Sequence, residues 1–239
     1  MVDTFLFDLD GTLLPLDMEK FTLRYFNELC NKFASIFEPK TLQDAVWAST
    51  KYMISNIEKE KTNKDCFFED FQKRIDHNLD DLHPIFDEFY MKDFANIKDE
   101  VEPNPIVSDI IKLLKAKGYT LVVATNPLFP KEAINHRIEW AGLNISDFNF
   151  ITSYENMHFC KPNKQYYEEI LEIINKKPEN CMMVGNDVQE DMISSTLGIK
   201  TFLVDDCLID RKSPEYISDY KGSMEDFRKF VESLPSVLK

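Results

Sequence analysis

Near its start the chain carries a continuous apolar run, Thr4-Phe5-Leu6-Phe7, that breaks at the polar turn Asp8-Leu9-Asp10-Gly11-Thr12. An unbroken apolar run closed by a glycine turn predicts a strand buried on both faces, the kind found inside a parallel sheet. Strand alternation points Asp8 and Asp10 to one side and Leu9 to the other, so that two carboxylates face one small volume. Between residues 17 and 99 the texture changes. No strand pattern occurs, and apolar positions recur at three- and four-residue spacing in four stripes. These are Phe21, Tyr25, Leu29, Phe33 and Ile36; Leu42, Ala45, Val46 and Met53; Phe68, Phe71, Ile75 and Leu79; then Leu82, Ile85, Phe86, Phe89 and Tyr90. The stripes predict four amphipathic helices, with Thr41 and Asp65 as N-caps and Pro84 early enough in its helix to be tolerated. Their aromatic residues read as core.

From about Val101 onward strands and helices alternate. Asn104-Pro105 resembles a cap and first-turn proline opening a helix that Gly118 stops, and a strand follows over 119–124. The pattern continues with a helix over 130–141 ended by Gly142, a strand over 148–152, a helix over 164–175 and a strand over 181–184. A helix over 188–197 ended by Gly198 and a strand over 201–204 come next. Ser223 with Asp226 forms a capping box for a last helix whose inner face is Phe227, Phe230, Val231 and Leu234. Strands separated by helices predict an α/β protein with a parallel sheet covered on both faces.

Composition narrows the function classes. With 239 residues the chain can bury a full core beside a smaller second module, and its net charge of −14 disfavours nucleic-acid and anionic-membrane surfaces. Five cysteines, an odd number without a CxxC pair, suit reduced thiols better than a disulfide framework or zinc site. No apolar stretch reaches the ~18 residues of a membrane span, and no basic-then-apolar leader opens the sequence. A cytoplasmic protein is expected.

Chemistry gathers at the C-terminal ends of the predicted strands, where open α/β sheets hold their ligands. Two close carboxylates tend to divide roles, one paired with a cation and nucleophilic, the other carrying a proton. The strand over 119–124 delivers Thr125-Asn126, whose hydroxyl and backbone N–H can donate to phosphoryl oxygens; Pro127 cannot donate. Lys161-Pro162 precedes the helix over 164–175 and supplies a point charge. Gly185-Asn186-Asp187 follows the strand over 181–184, with Gly185 permitting the turn, Asp187 at a helix N-terminus, Glu190 a solvated first-turn acid, and Asp191 one turn further on. Each feature alone has a plain structural reading: a strand-end threonine, an exposed lysine, an N-cap aspartate.

In this order, Asp-x-Asp-Gly-Thr, the strand-end Thr125, Lys161 and the Gly185–Asp191 acidic motif resemble the four motifs of the haloacid dehalogenase superfamily, most of whose members are Mg2+-dependent phosphatases. The resemblance implies a Rossmann-like doubly wound core over 1–16 and 100–239, with 17–99 as an inserted helical cap of the C1 type. It implies Asp8 as nucleophile and Asp10 as general acid and base. Thr125, Asn126 and Lys161 would hold phosphate, and the Asp8 carboxylate, the Asp10 main-chain carbonyl and Asp187 would hold Mg2+. Asp191 would orient Lys161 or a metal-bound water. A small phosphate ester is the implied substrate, with 14–17 lining the entrance and hinges near 14–17 and 99–103.

Other readings remain beside it. Asp10 favours phosphate esters over the superfamily's dehalogenase and phosphonatase chemistries, which do not use the second acid. A phosphomutase would use the same pair. A phospho-accepting receiver domain shares clustered aspartates, a threonine and a lysine, but not Asp-x-Asp with a large helical insertion. A silent phosphate-binding paralogue would not need the full set.

Overall fold

The computed structural model describes residues 1–100 and 102–238. Six parallel strands form one sheet in the order β3-β2-β1-β4-β5-β6, with β1 (Thr4–Phe7), β2 (Thr120–Val123), β3 (Phe150–Ile151), β4 (Cys181–Gly185), β5 (Lys200–Val204) and β6 (Tyr220–Gly222). β1 lies between β2 and β4, Phe7 standing level with Val123 and Val184. Period-2 alternation divides the core. Phe5, Phe7, Leu121 and Val123 face α5 (Pro105–Ala116), α6 (Lys131–Trp140) and α8 (Met224–Ser233). Leu6, Val122 and Met183 face α7 (Lys164–Ile173) and Ile193. The doubly wound α/β architecture is as expected.

Residues 18–91 form α1 (Met18–Lys32), α2 (Pro39–Ser55), α3 (Asn63–Arg74) and α4 (Leu79–Met91), followed by a 3-10 helix at Asp93–Glu100 that the periodicity did not suggest. Aromatic contacts knit them: Phe33 and Phe86 approach to 4.5 Å, and the Tyr25 and Tyr90 hydroxyls share a 2.9 Å hydrogen bond. Two N-caps shift. Glu38 precedes Pro39 at the start of α2, so Thr41 lies inside the helix, and Thr62 caps α3 with Asp65 as the reciprocal acid of its capping box. Leu79, expected to end the third stripe, opens α4.

The first turn of α3 is also tied to the sheet domain. Its unpaired N–H groups at Asn63 and Lys64 donate to the carbonyls of Met157 and Tyr154, at 2.8 Å each. Of the expected entrance residues, Leu14 and Leu16 are core, and Asp17 caps α1 by accepting from Glu19 and Lys20. The segment's second connection includes Val101, which lies outside the described residues.

Candidate active site

β1 ends at Phe7, and the chain turns at once rather than extending to Asp10. Gly11 makes the turn with φ +88, and its Cα presses on Asn186: a Cβ there would sit 2.4 Å from the amide nitrogen. Because the alternation stops early, Asp8 and Asp10 are anchored from opposite faces of the sheet.

Asp8 keeps the side of Leu6 and meets Lys161, three residues before α7. The Lys161 Nζ lies 2.8 Å from Asp8 Oδ1 and 2.7 Å from Asp191 Oδ1, with the lysine side chain only 1% exposed. Burial disfavours that ammonium, yet the Asp191 and Asp8 charges outweigh it and push its pKa well above the ordinary lysine value. For Asp191, burial pushes the carboxyl up while the Lys161 charge pulls it down. The second Asp191 oxygen accepts from the Asp187 N–H at 3.0 Å.

Asp10 instead pairs with Nη1 of Arg137 on α6 through Oδ2. Arg137 is 1% exposed, and its guanidinium carbon stands 4.6 and 5.8 Å from the ring centres of Phe129 and Phe21. Among the described residues, Asp10 Oδ1 and Arg137 Nη2 are buried without a protein partner. Burial raises the Asp10 carboxyl above the usual range, Arg137 draws it back, and the neighbouring Asp8 charge adds to the rise. The readable signal for Arg137 is a basic residue on the apolar stripe of Ala133, Ile134 and Ile138. The sequence reading missed it.

Thr125 is buried, and its carbonyl accepts from Thr152 Oγ1 at 2.8 Å and Tyr166 Oη at 2.7 Å. The side chain of Asn126 is engaged within the protein, accepting from the Lys161 N–H at 3.2 Å and donating to Glu190 Oε2 at 3.1 Å. It braces the lysine loop against the acidic turn.

The acidic segment differs from expectation. Residues 188–191 form a turn, and only Met192–Leu197 winds as a 3-10 helix, so Asp187 does not cap an α-helix. Its Oδ1 accepts from the N–H groups of Gln189 and Glu190, both at 2.9 Å, closing the turn. Glu190 is not a solvated acid: it is partly buried, burial raises its pKa, and Asn126 donates to it. Gly185 serves space more than turning, since a Cβ there would lie 2.1 Å from Asp191 Oδ2.

Arg211, on the long connection after β5, reaches both Asp187 oxygens at 2.7 and 2.6 Å while remaining half-exposed. No periodicity marks it in the sequence. Among the described residues no three His, Cys, Asp or Glu side chains come together as a cation site. Asp8 and Asp187 nevertheless follow the ends of adjacent strands, and Thr12 joins Asp8 to the residue before Asp187, its Oγ1 lying 3.4 Å from Asp8 Oδ2 and 3.0 Å from Asn186 Oδ1. Hard oxygen donors with few carboxylates suit Mg2+, which retains several waters and takes further oxygens from a phosphate. The arrangement fits, with Arg211 standing as the cation at Asp187. A carboxylate paired with ammonium beside a carboxyl of raised pKa can divide nucleophilic and proton-transfer work.

Comparison with known proteins adds the lineage. The family model of haloacid dehalogenase-like hydrolases matches residues 2–194. The chain is 27% identical over 206 residues to a glyceraldehyde 3-phosphate phosphatase of Methanothermobacter thermautotrophicus, covering 85% of this chain and 86% of the relative. It is 22% identical to the pyrophosphatase PpaX of Bacillus cereus, over 92% and 89%. Among solved structures it resembles a HAD phosphatase from Thermococcus onnurineus, with a TM-score of 0.60 at 17% identity, covering 99% and 100% of the two chains. An L-2-haloacid dehalogenase from Xanthobacter autotrophicus shares the fold at TM-score 0.58 and 12% identity, covering 98% and 100%.

Proposed function

The chain belongs to the haloacid dehalogenase-like hydrolases, and from that premise we propose that it is a cytoplasmic, Mg2+-dependent phosphomonoesterase acting on a small phosphorylated metabolite. The observation that carries this reading is the Asp8 carboxylate at the end of β1, gripped by buried Lys161 with Asp10 alongside. Relatives named as phosphatases of glyceraldehyde 3-phosphate and pyrophosphate support phosphoryl chemistry on small compounds.

In this mechanism Asp8 attacks phosphorus in line and becomes an aspartyl phosphate as the ester oxygen departs. Asp10 gives its proton to that oxygen and later takes one from the water that releases phosphate. Arg137 holds Asp10 by Oδ2, which leaves Oδ1 free for the proton. Lys161 and Thr125 stabilise charge on the phosphoryl oxygens, and Asp191 positions Lys161. Mg2+ held by Asp8, the Asp10 carbonyl and Asp187 would supply Lewis-acid neutralisation of phosphoryl charge. We assign residues 17–99 as a cap whose motion would have to break the α3 ties to Met157 and Tyr154. Steady turnover of an aryl phosphate with Mg2+, abolished by chelation, tests the reading. A folded protein inactive across a panel of phosphate esters would refute it.

Two expectations arise directly. Asp10→Asn should lower the phosphorylation rate by about 10²–10⁴-fold. Alkyl phosphates should suffer more than aryl phosphates, whose leaving groups need little protonation. Equal loss on both, with phosphorylation rate-limiting, contradicts the role. Arg211→Gln frees both Asp187 oxygens from a competing cation, so titration calorimetry should show several-fold tighter Mg2+ binding. Unchanged or weaker binding would show that Arg211 does not compete.

A further inference from the structure

Beside the Asp10–Arg137 pair, a chamber of about 120 Å³ lies between α1–α4 and the loops leaving β2 and β3. Its walls are mainly apolar and aromatic, among them Phe26, Val46, Phe68 and Tyr154, and none of the lining side chains carries a charge. Three of the lining hydroxyls are paired within the protein. The Tyr25 and Tyr90 hydroxyls bond each other, and Thr50 Oγ1 donates to the Val46 carbonyl at 2.8 Å. The inner wall includes Phe21 and Phe129, the two rings that lie against Arg137. These rings and the Arg137 side chain behind them stand between chamber and Asp10. Met18 and Trp47, 42% and 47% exposed, belong to the same lining and give it contact with solvent.

An unfilled apolar space of this size lowers stability, and comparable dry cavities of roughly 150 Å³ take up benzene. Resting on the phosphomonoesterase reading above, we propose that this chamber receives the leaving group of the substrate, and that this group is uncharged and hydrocarbon-rich, a single ring or a short aliphatic chain. The phosphoryl end lies at Asp8 and Lys161, the ester oxygen at Asp10, and the apolar remainder passes Arg137 into the chamber. A second phosphate or a carboxylate at that end would lose its hydration against a wall that offers no cation.

The test is calorimetric binding of n-alkylphosphonates from ethyl to octyl to the full chain in Mg2+. These compounds keep the phosphoryl dianion and cannot be hydrolysed. Kd should fall roughly fourfold per added methylene until the chamber is full. An ω-phosphono analogue of equal length should lose that gain. Thr50→Asp, which places a charge in the wall, should flatten the series, whereas Thr50→Val should preserve it. A wild-type Kd independent of chain length overturns the proposal, whatever the variants do. Aryl phosphate turnover scores the catalytic reading separately: turnover with a flat phosphonate series overturns the chamber assignment alone. A chain-length slope without turnover supports the chamber and overturns the esterase.

Discussion

Replacing Asp8 by Asn is expected to abolish phosphate-ester turnover while leaving the protein folded. The amide is isosteric but neither attacks phosphorus nor neutralises a cation, and loss of a nucleophile can cost on the order of 10⁶-fold in kcat. The fold should tolerate it because Lys161 retains a second carboxylate, Asp191, at 2.7 Å, so no buried charge is left without a partner. Steady-state rates and a thermal melt on the same preparation check both halves. A well-folded Asp8→Asn protein that still hydrolyses esters at an appreciable rate would remove Asp8 from the chemistry.

Lys161→Met should be damaging in another way. It leaves Asp8 and Asp191 facing each other in a buried site, and removing one partner of a buried pair costs about 3–5 kcal/mol. The pH dependence follows from the sign of the carboxyl shift. Burial already raises Asp191, and without the ammonium it should rise further above its unfolded value. A carboxyl raised in the folded state contributes its stability below the unfolded pKa and loses it as pH climbs through the folded one. The variant's deficit relative to wild type should therefore be greatest at neutral pH and shrink toward about pH 4. Urea unfolding at several pH values measures it. A deficit that grows on acidification would mean that Lys161 does not neutralise these carboxylates, and phosphate binding would need another cation.

The aromatic stripes of α1–α4 and the apolar runs of β1, β2 and β4 were legible because each satisfies a local period. β6 was not: Tyr220-Lys221-Gly222 has no apolar pattern and becomes a strand only because the open edge of β5 offers it hydrogen bonds. The segment 188–197 has helical spacing, yet Asp187 closes a turn with the next two N–H groups and Asp191 turns inward to Lys161, so an α-helix does not form there.

What the sequence by itself determined is the order of chemistry along the chain: Asp8, Asp10, Thr125 and Asp187 just beyond apolar strands, and Lys161 on the loop before a helix. A parallel sheet with crossover helices brings strand ends to one edge, so spacing alone implied their convergence. The tertiary structure decided the partners. Lys161 joins Asp8 to Asp191 because alternation puts Asp8 on the α7 side, whereas Asp10, beyond the end of β1, is captured by Arg137 from α6. Asn126 braces loops, and Arg211 covers Asp187 from a connection without periodicity. These choices depend on distances between residues far apart in sequence, and a local hydrophobic pattern carries no information about which buried charge will meet which.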